Sequence, residues 1–215
     1  NNNLGLQSLE WLVKQGEAPV GLVVHPTDRA RCRDEIVSVS GLGHDRVREW
    51  RPDAQHELAE WLSGLGPDLG LSVMFGYILP GNLLRIPRLG CFNLHLGYLP
   101  DIRGSYPNVW SIVEGAQPGV TLHLMDEGVD SGPILARKTV ESSVSDTGES
   151  LYKKLIVAAL ELIKNSWHDL CAGKLEAVPW KGDGKCYRVQ DVEEIDRILP
   201  DQTYRAADLI NIIRA

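Results

Sequence analysis

Two polar side chains two residues apart, Asn93 and His95, are the first candidates for chemistry in this sequence. Side chains alternate between the two faces of a β-strand, so these two share one face while Phe92 and Leu94 point to the other. A neutral imidazole accepts a proton from an amine, and an amide N–H stabilises an oxygen that gains negative charge. Acyl transfer to nitrogen needs both groups. Such a triplet alone is more often a packed histidine beside a turn-forming asparagine.

Two loop residues are candidates for the same site. Asp130 lies in a loop rich in glycine and acidic residues, where its carboxylate would orient His95 and relay protons through water. The alternative is an ordinary turn, which most acids beside glycine form. Arg103 lies between the two motifs, and its planar guanidinium suits a phosphate or a carboxylate. An internal ion pair with Asp101 or Asp130 explains this arginine equally well.

Composition limits the class of protein. Of the 215 residues, 43% are hydrophobic and 24% are charged, which is typical of a globular protein and excludes a disordered or collagen-like chain. The formal net charge is −7 and the sequence has no long Lys/Arg cluster, which argues against a protein that binds the nucleic-acid backbone. The longest apolar runs are too short to cross a membrane. We expect a cytoplasmic protein without nucleic-acid or membrane partners.

The cysteines and the first residues agree with that compartment. The four cysteines are far apart and form no metal-ligand spacing, so we expect free thiols in a reducing cytosol and no metal site: Cys32, Cys91, Cys171 and Cys186. The start, Asn1 to Gly5, is mostly polar and does not have the basic-then-apolar pattern that we would expect of a secretory signal.

Hydrophobic periodicity predicts alternating helices and strands. Helices are predicted over 5–15 and, from Asp53 as its cap, to Leu65, and strands over 20–24, 69–75, 92–95 and 120–125. The second helix has one apolar stripe, made of Leu58, Trp61, Leu62 and Leu65. The alternation predicts a mainly parallel central sheet with ligands at the carboxyl ends of its strands. Because the order begins with a helix, we expect a first strand that the given sequence does not contain.

The second half of the chain predicts a long core helix and a small extension. Asp146 and Glu149 resemble a capping box at the start of that helix. The turn over 182–184 predicts a hairpin between Trp180 and the segment 186–189, followed by helical stretches near 191–199 and 203–215. We therefore predict a domain over 1–172 and a small C-terminal α/β-hairpin extension over 173–215.

Several separated motifs between residues 68 and 140 follow one another in a distinctive order. They are Asn93-Leu94-His95, Leu99-Pro100, Arg103-Gly104, Gly119-Val120-Thr121-Leu122-His123 and Asp130-Ser131-Gly132-Pro133-Ile134. In order and spacing they resemble the formyl-tetrahydrofolate-dependent formyltransferase family. The resemblance implies a Rossmann-like α/β fold, formyl-tetrahydrofolate as the donor, and a catalytic trio of Asn93, His95 and Asp130.

The resemblance also implies roles for individual residues. In the expected scheme Asn93 stabilises the tetrahedral oxyanion, His95 accepts or steadies the amine proton, and Asp130 orients His95 and helps deliver a proton to the departing folate nitrogen. No metal is needed. His123 recurs in the family pattern, and we interpret it as structural or as acting through a neighbour. The residues implied for the folate pocket are Phe75, Gly76, Tyr77, Ile78, Leu79, Asp126 and Gly128.

The loop 103–110 and the closing segment 207–215 look most like the sugar N-formyltransferases, which act on nucleotide-linked amino sugars. That branch implies a homodimer, a dTDP-linked dideoxy amino sugar as acceptor, and a place in O-antigen or lipopolysaccharide biosynthesis. Its members usually continue past the last motif, so we expect the same here. The residues predicted to bind the acceptor are Arg103, Tyr106, Asn108 and, at a helix N-terminus that favours anions, Asn2 with its two neighbouring asparagines.

Other branches remain as alternatives. The methionyl-tRNA branch shares Arg103-Gly104 but adds a C-terminal domain that is usually basic, so we disfavour it. The glycinamide ribonucleotide formyltransferases have a similar length but open with a glycine-rich loop, and they are the next candidate. A non-catalytic relative that binds folate or a nucleotide is the third.

Overall fold

The computed structural model describes residues 2–182, 184–195 and 197–215, and within them helices and strands alternate along the chain. Asn1, Asp183 and Asp196, over which the sequence predictions extend, lie outside the described residues. The helices are α1 (Asn3–Lys14), α2 (Arg33–Ser40), α3 (Gln55–Leu65), α4 (Gly81–Leu84), α5 (Pro107–Val113), α6 (Gly148–Cys171), α7 (Val192–Ile195) and α8 (Ala206–Arg214). The strands are β1 (Leu22–Val24), β2 (Val47–Glu49), β3 (Gly70–Val73), β4 (Cys91–His95), β5 (Ile102–Gly104), β6 (Gly119–Leu124), β7 (Ile134–Thr139) and β8 (Lys185–Tyr187).

The central sheet has the strand order β3-β4-β6-β7. β3 and β4 are parallel, whereas β4 pairs with β6, and β6 with β7, in antiparallel fashion. β1 and β2 form a separate parallel pair. The α/β prediction is confirmed, but the four-stranded sheet is mixed rather than mainly parallel. One reason is that the loop over 125–133 is shorter than the dozen or so residues that a parallel crossover needs.

The predicted C-terminal hairpin is wrong. β8 pairs in parallel with β5, and Val178 instead forms a bridge with Ile134, so the two extended segments pair with different parts of the chain. Tyr187 stacks on Trp110 with ring centroids 3.9 Å apart and fixes β8 in this position. Gly104, at φ +82°, is required here because a Cβ would collide with the Tyr187 carbonyl. Local alternation predicts a strand but does not identify its partner.

The helix α6 is the centre of the core, and its start differs from the predicted cap. Thr147 and Ser150 form the reciprocal capping box, because Ser150 and not Glu149 is the third helical residue. Asp146 accepts hydrogen bonds from Ser150 Oγ (2.8 Å) and Lys154 Nζ (2.7 Å) just ahead of the helix. The fully or nearly fully buried side chains of α6 pack against β4 and β6: Leu151, Leu155, Ala158, Ala159, Leu162 and Ile163.

The helix α3 follows the predicted stripe but not the predicted cap. Its N-cap is Ala54, without a side-chain hydrogen bond, so the prediction that Asp53 caps this helix is wrong. Leu58 packs in a second core cluster with Trp50 and Leu83. Within the described residues, no helix combines the length and apolar character that a membrane crossing requires.

The burial of α6 predicts that shortening a buried side chain lowers the free energy of unfolding far more than shortening an exposed one. Leu155 is fully buried, whereas Val157 on the same helix is 57% exposed. We expect Leu155→Ala to lower the free energy of unfolding by about 2–5 kcal/mol, because it leaves a cavity. The matched Val157→Ala change should stay within about 0.5 kcal/mol of the parent chain in urea unfolding. Equal effects of the two changes would contradict this packing.

Candidate active site

Asn93 and His95 lie on the same face of β4, and the other face of that strand packs into the core. Phe92 and Leu94 are buried in the cluster beneath α6, as the alternation predicts. Asn93 is half-buried, and His95 is 7% exposed. The sheet therefore separates a hydrophobic side, which supplies stability, from a polar side that carries the candidate chemistry.

Strand β6 adds a second histidine to the polar side. Its antiparallel register places His123 opposite Asn93 and Thr121 opposite His95, and opposite residues of such a pair share a face. His123 is 2% exposed. Thr121 Oγ1 donates to the Gly97 carbonyl at 2.8 Å and so holds the chain where it leaves β4.

The carboxylate of Asp130 is the point where these groups meet. Its Oδ1 accepts from Asn93 Nδ2 at 3.1 Å and lies 3.3 Å from His123 Nε2. Its Oδ2 accepts from the Gly104 backbone N–H at 2.9 Å and lies 3.4 Å from His95 Nδ1. The structure thus brings the predicted trio together and adds His123 to it.

The hydrogen-bond partners assign the amide and the His123 ring. A backbone carbonyl only accepts, so His123 Nδ1 carries the hydrogen that it donates to the Leu124 carbonyl at 3.0 Å. The Nε2 lone pair then accepts from Asn93 Nδ2 at 3.2 Å. The other amide hydrogen of Asn93 goes to Asp130, and a flipped amide would instead turn its oxygen toward that carboxylate. Both N–H groups of Asn93 therefore have partners.

The two ring nitrogens of His95 have different environments. Nε2 donates to the Ile102 carbonyl at 3.1 Å, so in the neutral ring Nδ1 has the free lone pair. This close approach needs Gly97, because a Cβ there would collide with His95 Nε2. Nδ1 faces Asp130 Oδ2. A proton that arrives on Nδ1 would therefore be stabilised at once by the carboxylate.

Burial and charge leave His95 uncharged and Asp130 ionised at neutral pH. Burial lowers the pKa of His95, and the opposing effect of the Asp130 charge does not restore it. Burial alone would raise the pKa of Asp130, but attraction to the positive charge that His95 and His123 carry when protonated, together with the hydrogen bond from the Gly104 N–H, lowers it. The site therefore combines an ionised carboxylate with a neutral imidazole, the state in which a base accepts a proton.

The predicted folate segment begins where β3 ends. Because β3 and β4 are parallel and Val73 is in register with Leu94, the segment over 75–79 starts at the same sheet edge as His95. Gly76 and Ile78 are exposed, Ile78 by 62%. An apolar side chain and open backbone are thus available beside the polar site.

Packing between aromatic rings holds the segment over 75–79 in position. The rings of Phe75 and Tyr77 lie 5.5 Å apart, and Trp50 lies 5.6 Å from Tyr77. His25 Nε2 donates to the Phe75 carbonyl, and its ring packs 5.0 Å from the Phe75 ring. Burial lowers the pKa of His25. The structure therefore places His25 against the predicted folate segment.

Asp126 organises the loop that carries Asp130. Its Oδ1 accepts from the Gly128 N–H at 3.0 Å and from Ser131 Oγ at 2.6 Å. These bonds on both sides hold Asp130 in its left-handed backbone conformation, φ 47°. Asp126 and Gly128 are exposed, so both remain open to a ligand.

Arg103 has a partner that the sequence did not indicate. Its Nε and Nη2 donate to the Gly184 carbonyl at 3.1 and 2.9 Å, and its guanidinium lies 5.4 Å from the Trp180 ring. The alternative of an ion pair with Asp101 or Asp130 is not what the structure shows. Arg103 thus links the segment after β4 to the C-terminal part of the chain. That Arg103 binds the acceptor stays a prediction.

The other residues predicted to bind an acceptor lie at helix ends. Asn2 caps α1 by accepting from the Gly5 N–H at 3.1 Å, and Asn108 Nδ2 donates to the Gly148 carbonyl at 3.0 Å. Tyr106 is 46% exposed at the N-cap of α5, with φ 53°. The structure gives Asn2 and Asn108 structural partners and leaves the Tyr106 side chain open.

The shifted pKa of His95 predicts a dependence of stability on pH. An unfolded imidazole binds its proton below a pH of about 6.5, whereas the buried His95 stays neutral to lower pH. The free energy of unfolding should therefore fall as the pH decreases below about 6.5. This range lies above the pH at which Asp130, whose pKa is lowered in the folded chain, gains a proton. In urea unfolding at pH 7.5 and 5.5, His95→Gln should flatten this decrease. The control His56→Gln, at a residue exposed on α3, should keep it; a parent-like slope in His95→Gln would contradict the assignment.

Several known proteins resemble this chain. Residues 5–165 match the family model described as formyl transferase. The chain is 33% identical over 219 residues to methionyl-tRNA formyltransferase of Halorhodospira halophila, covering 99% of this chain and 70% of that protein. It is 30% identical over 213 residues to the enzyme of the same name from Bacillus pumilus, covering 96% of this chain and 66% of that protein. The chain thus spans about two thirds of the length of these relatives.

Solved structures share the fold. A sugar N-formyltransferase from a Shewanella species superposes with a TM-score of 0.81 at 21% identity, covering 100% of this chain and 84% of that one. The formyltransferase PseJ from Anoxybacillus kamchatkensis, solved with a UDP-linked formamido sugar and tetrahydrofolate, gives a TM-score of 0.65 at 25% identity, covering 90% of this chain and 97% of that one. The predicted fold is confirmed, and the chain belongs to the formyl transferase family.

Proposed function

We propose that this protein transfers a formyl group from formyl-tetrahydrofolate to the primary amine of a nucleotide-linked amino sugar. The observation that carries formyl transfer is the convergence of Asn93, His95 and His123 on the Asp130 carboxylate. One polar face then offers a neutral base, an amide donor and an ionised carboxylate. These are the groups that attack by an amine on an acyl carbon requires.

Asn93 acts on the oxygen of the formyl group. When the amine attacks, that oxygen becomes an oxyanion, and an amide N–H within reach stabilises it. Both N–H groups of Asn93 already have acceptors, so one must turn away. A hydrogen bond to an ionised acceptor is roughly twice as strong as one to a neutral acceptor, so the bond to His123 yields before the bond to Asp130. His123 thereby holds the amide ready without competing strongly for it.

His95 moves the proton that the reaction must transfer. As the new carbon–nitrogen bond forms, the amine loses a proton to His95 Nδ1, and Asp130 stabilises the resulting imidazolium. The bond from the formyl carbon to the folate nitrogen then breaks, and the proton reaches that nitrogen. No net proton is gained or lost. The lowered pKa of Asp130 keeps the carboxylate ionised throughout.

We infer that the donor binds at the carboxyl end of β3. The exposed Ile78 and the open backbone at Gly76 provide an apolar wall and hydrogen-bonding groups for a pterin ring. Asp126 and Gly128, exposed in the loop that carries Asp130, are proposed to contact the folate as well. The PseJ structure, in which tetrahydrofolate is bound, supports this donor.

The sugar acceptor is supported by two features. The loop 103–110 and the segment 207–215 resemble the sugar N-formyltransferases, and PseJ was solved with a UDP-linked sugar. Tyr106 and Arg103 are the side chains proposed to meet the nucleotide, with Asn108 and Asn2 supporting them. We propose dTDP as the nucleotide, because the resemblance to the sugar N-formyltransferases implies it. The exposed Ile210 and Ile213 of α8 are consistent with the homodimer that this branch implies.

Methionyl-tRNA is the second candidate acceptor. It is favoured by identities of 30–33% to methionyl-tRNA formyltransferases. Against it stands the net charge of −7, because a protein that grips a nucleic-acid backbone concentrates positive charge.

An acceptor panel separates these functions. The chain is mixed with formyl-tetrahydrofolate and, in turn, a dTDP-linked amino sugar, its UDP-linked counterpart, glycinamide ribonucleotide or methionyl-tRNA, and release of tetrahydrofolate is measured. We expect turnover with a nucleotide sugar and a loss of about a hundred-fold or more in His95→Ala, the usual scale for an acid–base group.

The matched control for this assay is His56→Ala, whose side chain is exposed on α3 and should leave turnover unchanged. Turnover only with methionyl-tRNA would select the second candidate. Binding of folate without turnover on any acceptor would instead support a non-catalytic relative.

A further inference from the structure

Val178 and Trp180, which follow α6 in the chain, hold the loop that carries Asp130. Val178 and Ile134 exchange both of their backbone hydrogen bonds, at 2.8 and 2.9 Å, at the point where that loop ends. Trp180 Nε1 donates to the Gly132 carbonyl at 3.1 Å, two residues after the carboxylate. The loop is therefore held from outside by backbone and side-chain hydrogen bonds.

The same part of the chain also holds the strand that donates the Gly104 N–H to Asp130. β8 pairs in parallel with β5, and Gly104 is in register with Tyr187. The Ser105 N–H donates to the Tyr187 carbonyl at 2.8 Å. The two elements that meet at the Asp130 carboxylate are thus both held by the chain that follows α6.

Trp180 contacts both elements at once. Its indole N–H reaches the Gly132 carbonyl in the loop, and its ring lies 5.4 Å from the Arg103 guanidinium on β5. This distance is within the range of a cation–π contact. Arg103 directly precedes Gly104, whose N–H donates to Asp130 Oδ2 at 2.9 Å. One half-buried ring therefore spans the loop with the carboxylate and the strand that donates to it.

The backbone of Asp130 needs such support. Its φ of 47° lies in the left-handed region, which a residue with a Cβ rarely adopts. A strained conformation of this kind persists only where the surrounding structure holds it. The hydrogen bonds to Asp126 hold the loop from within, whereas the bond from Trp180 is anchored outside it. Without the outside anchor, the loop would relax and carry the carboxylate away from Gly104.

We propose that Trp180 is a positioning residue that holds the Asp130 carboxylate beside His95. It does so from two sides, because its N–H fixes Gly132 and its ring packs against Arg103. Trp180 acts through the carboxylate and not on the reacting atoms. Its effect on turnover rests on the proposed function, whereas its effect on the position of the carboxylate does not.

The test compares two matched substitutions of tryptophan by phenylalanine. Trp180→Phe keeps an aromatic ring but removes the N–H that donates to the Gly132 carbonyl. Trp61→Phe removes the same kind of bond on α3, because Trp61 Nε1 donates to the Asp45 carbonyl at 3.0 Å. The guanidinium of Arg48 also lies 5.0 Å from the Trp61 ring. The two changes therefore remove the same chemical group from similar surroundings, one beside the polar site and one on α3.

Amide hydrogen exchange reports the position of Asp130 without any acceptor. Measured residue by residue with NMR, the Gly104 N–H should exchange about ten-fold faster or more in Trp180→Phe than in the parent chain, because its bond to the carboxylate is weakened. The Ser105 N–H, bonded to β8 instead, should exchange at the parent rate. Trp61→Phe should change neither rate. A role limited to holding β8 would speed exchange at both amides.

Turnover with the acceptor that the panel identifies gives a second readout. We expect Trp180→Phe to lower kcat about ten-fold or more, since a small misplacement of a reacting group is costly, and to leave KM for formyl-tetrahydrofolate unchanged. Added to Asp130→Asn, the same change should lower kcat no further, because residues that act as a unit do not contribute additively. Trp61→Phe should keep the parent kcat.

Parent-like exchange at Gly104, or a parent-like kcat, in Trp180→Phe would overturn the proposal. So would equal acceleration at Gly104 and Ser105, a further loss of kcat on top of Asp130→Asn, or loss of the folded circular-dichroism spectrum, since each would make Trp180 a residue of the general fold. Faster exchange at Gly104 alone, without turnover on any acceptor, would leave the positioning of Asp130 standing and remove the proposed reaction.

Discussion

The arrangement of the polar site depends on one buried carboxylate. Asp130 receives hydrogen bonds from Asn93 and Gly104 and faces both histidines, although its side chain is only 12% exposed. An ionised group in such a place is costly unless every oxygen is satisfied. The strands and loops around it supply those partners from different parts of the chain. Each partner is in turn oriented by the charge that it stabilises.

The backbone contributes as much to this arrangement as the side chains. The register of β4 and β6 sets Asn93 opposite His123, and the core beneath α6 fixes that register from the other face of the sheet. The turn after β4 brings the Ile102 carbonyl to His95 and the Gly104 N–H to Asp130. Stability and chemistry are thus divided between the two faces of one sheet.

The sequence predicts those parts of the molecule that depend on local pattern. Alternation placed Asn93 and His95 on one strand face, and separated motifs identified Asp130 as their partner. The sequence did not indicate the partner of Arg103, which is the backbone carbonyl of Gly184. Every residue has such a carbonyl, so the residue type does not show which one accepts a hydrogen bond. The pairing of β8 with β5 was missed for the same reason. His123, interpreted from the sequence as structural or as acting through a neighbour, lies beside Asn93 and Asp130, and its contacts agree with that interpretation.

The most direct test of the central role of Asp130 is the turnover number of Asp130→Asn, measured with the acceptor that the panel identifies. This change keeps the size of the side chain but removes the charge that stabilises a protonated His95. We expect kcat to fall by about a hundred-fold or more, with a cooperative unfolding transition retained, while Asp101→Asn in the exposed part of the neighbouring loop behaves like the parent chain. A parent-like kcat in folded Asp130→Asn would contradict the mechanism, because the carboxylate would then only shape its loop.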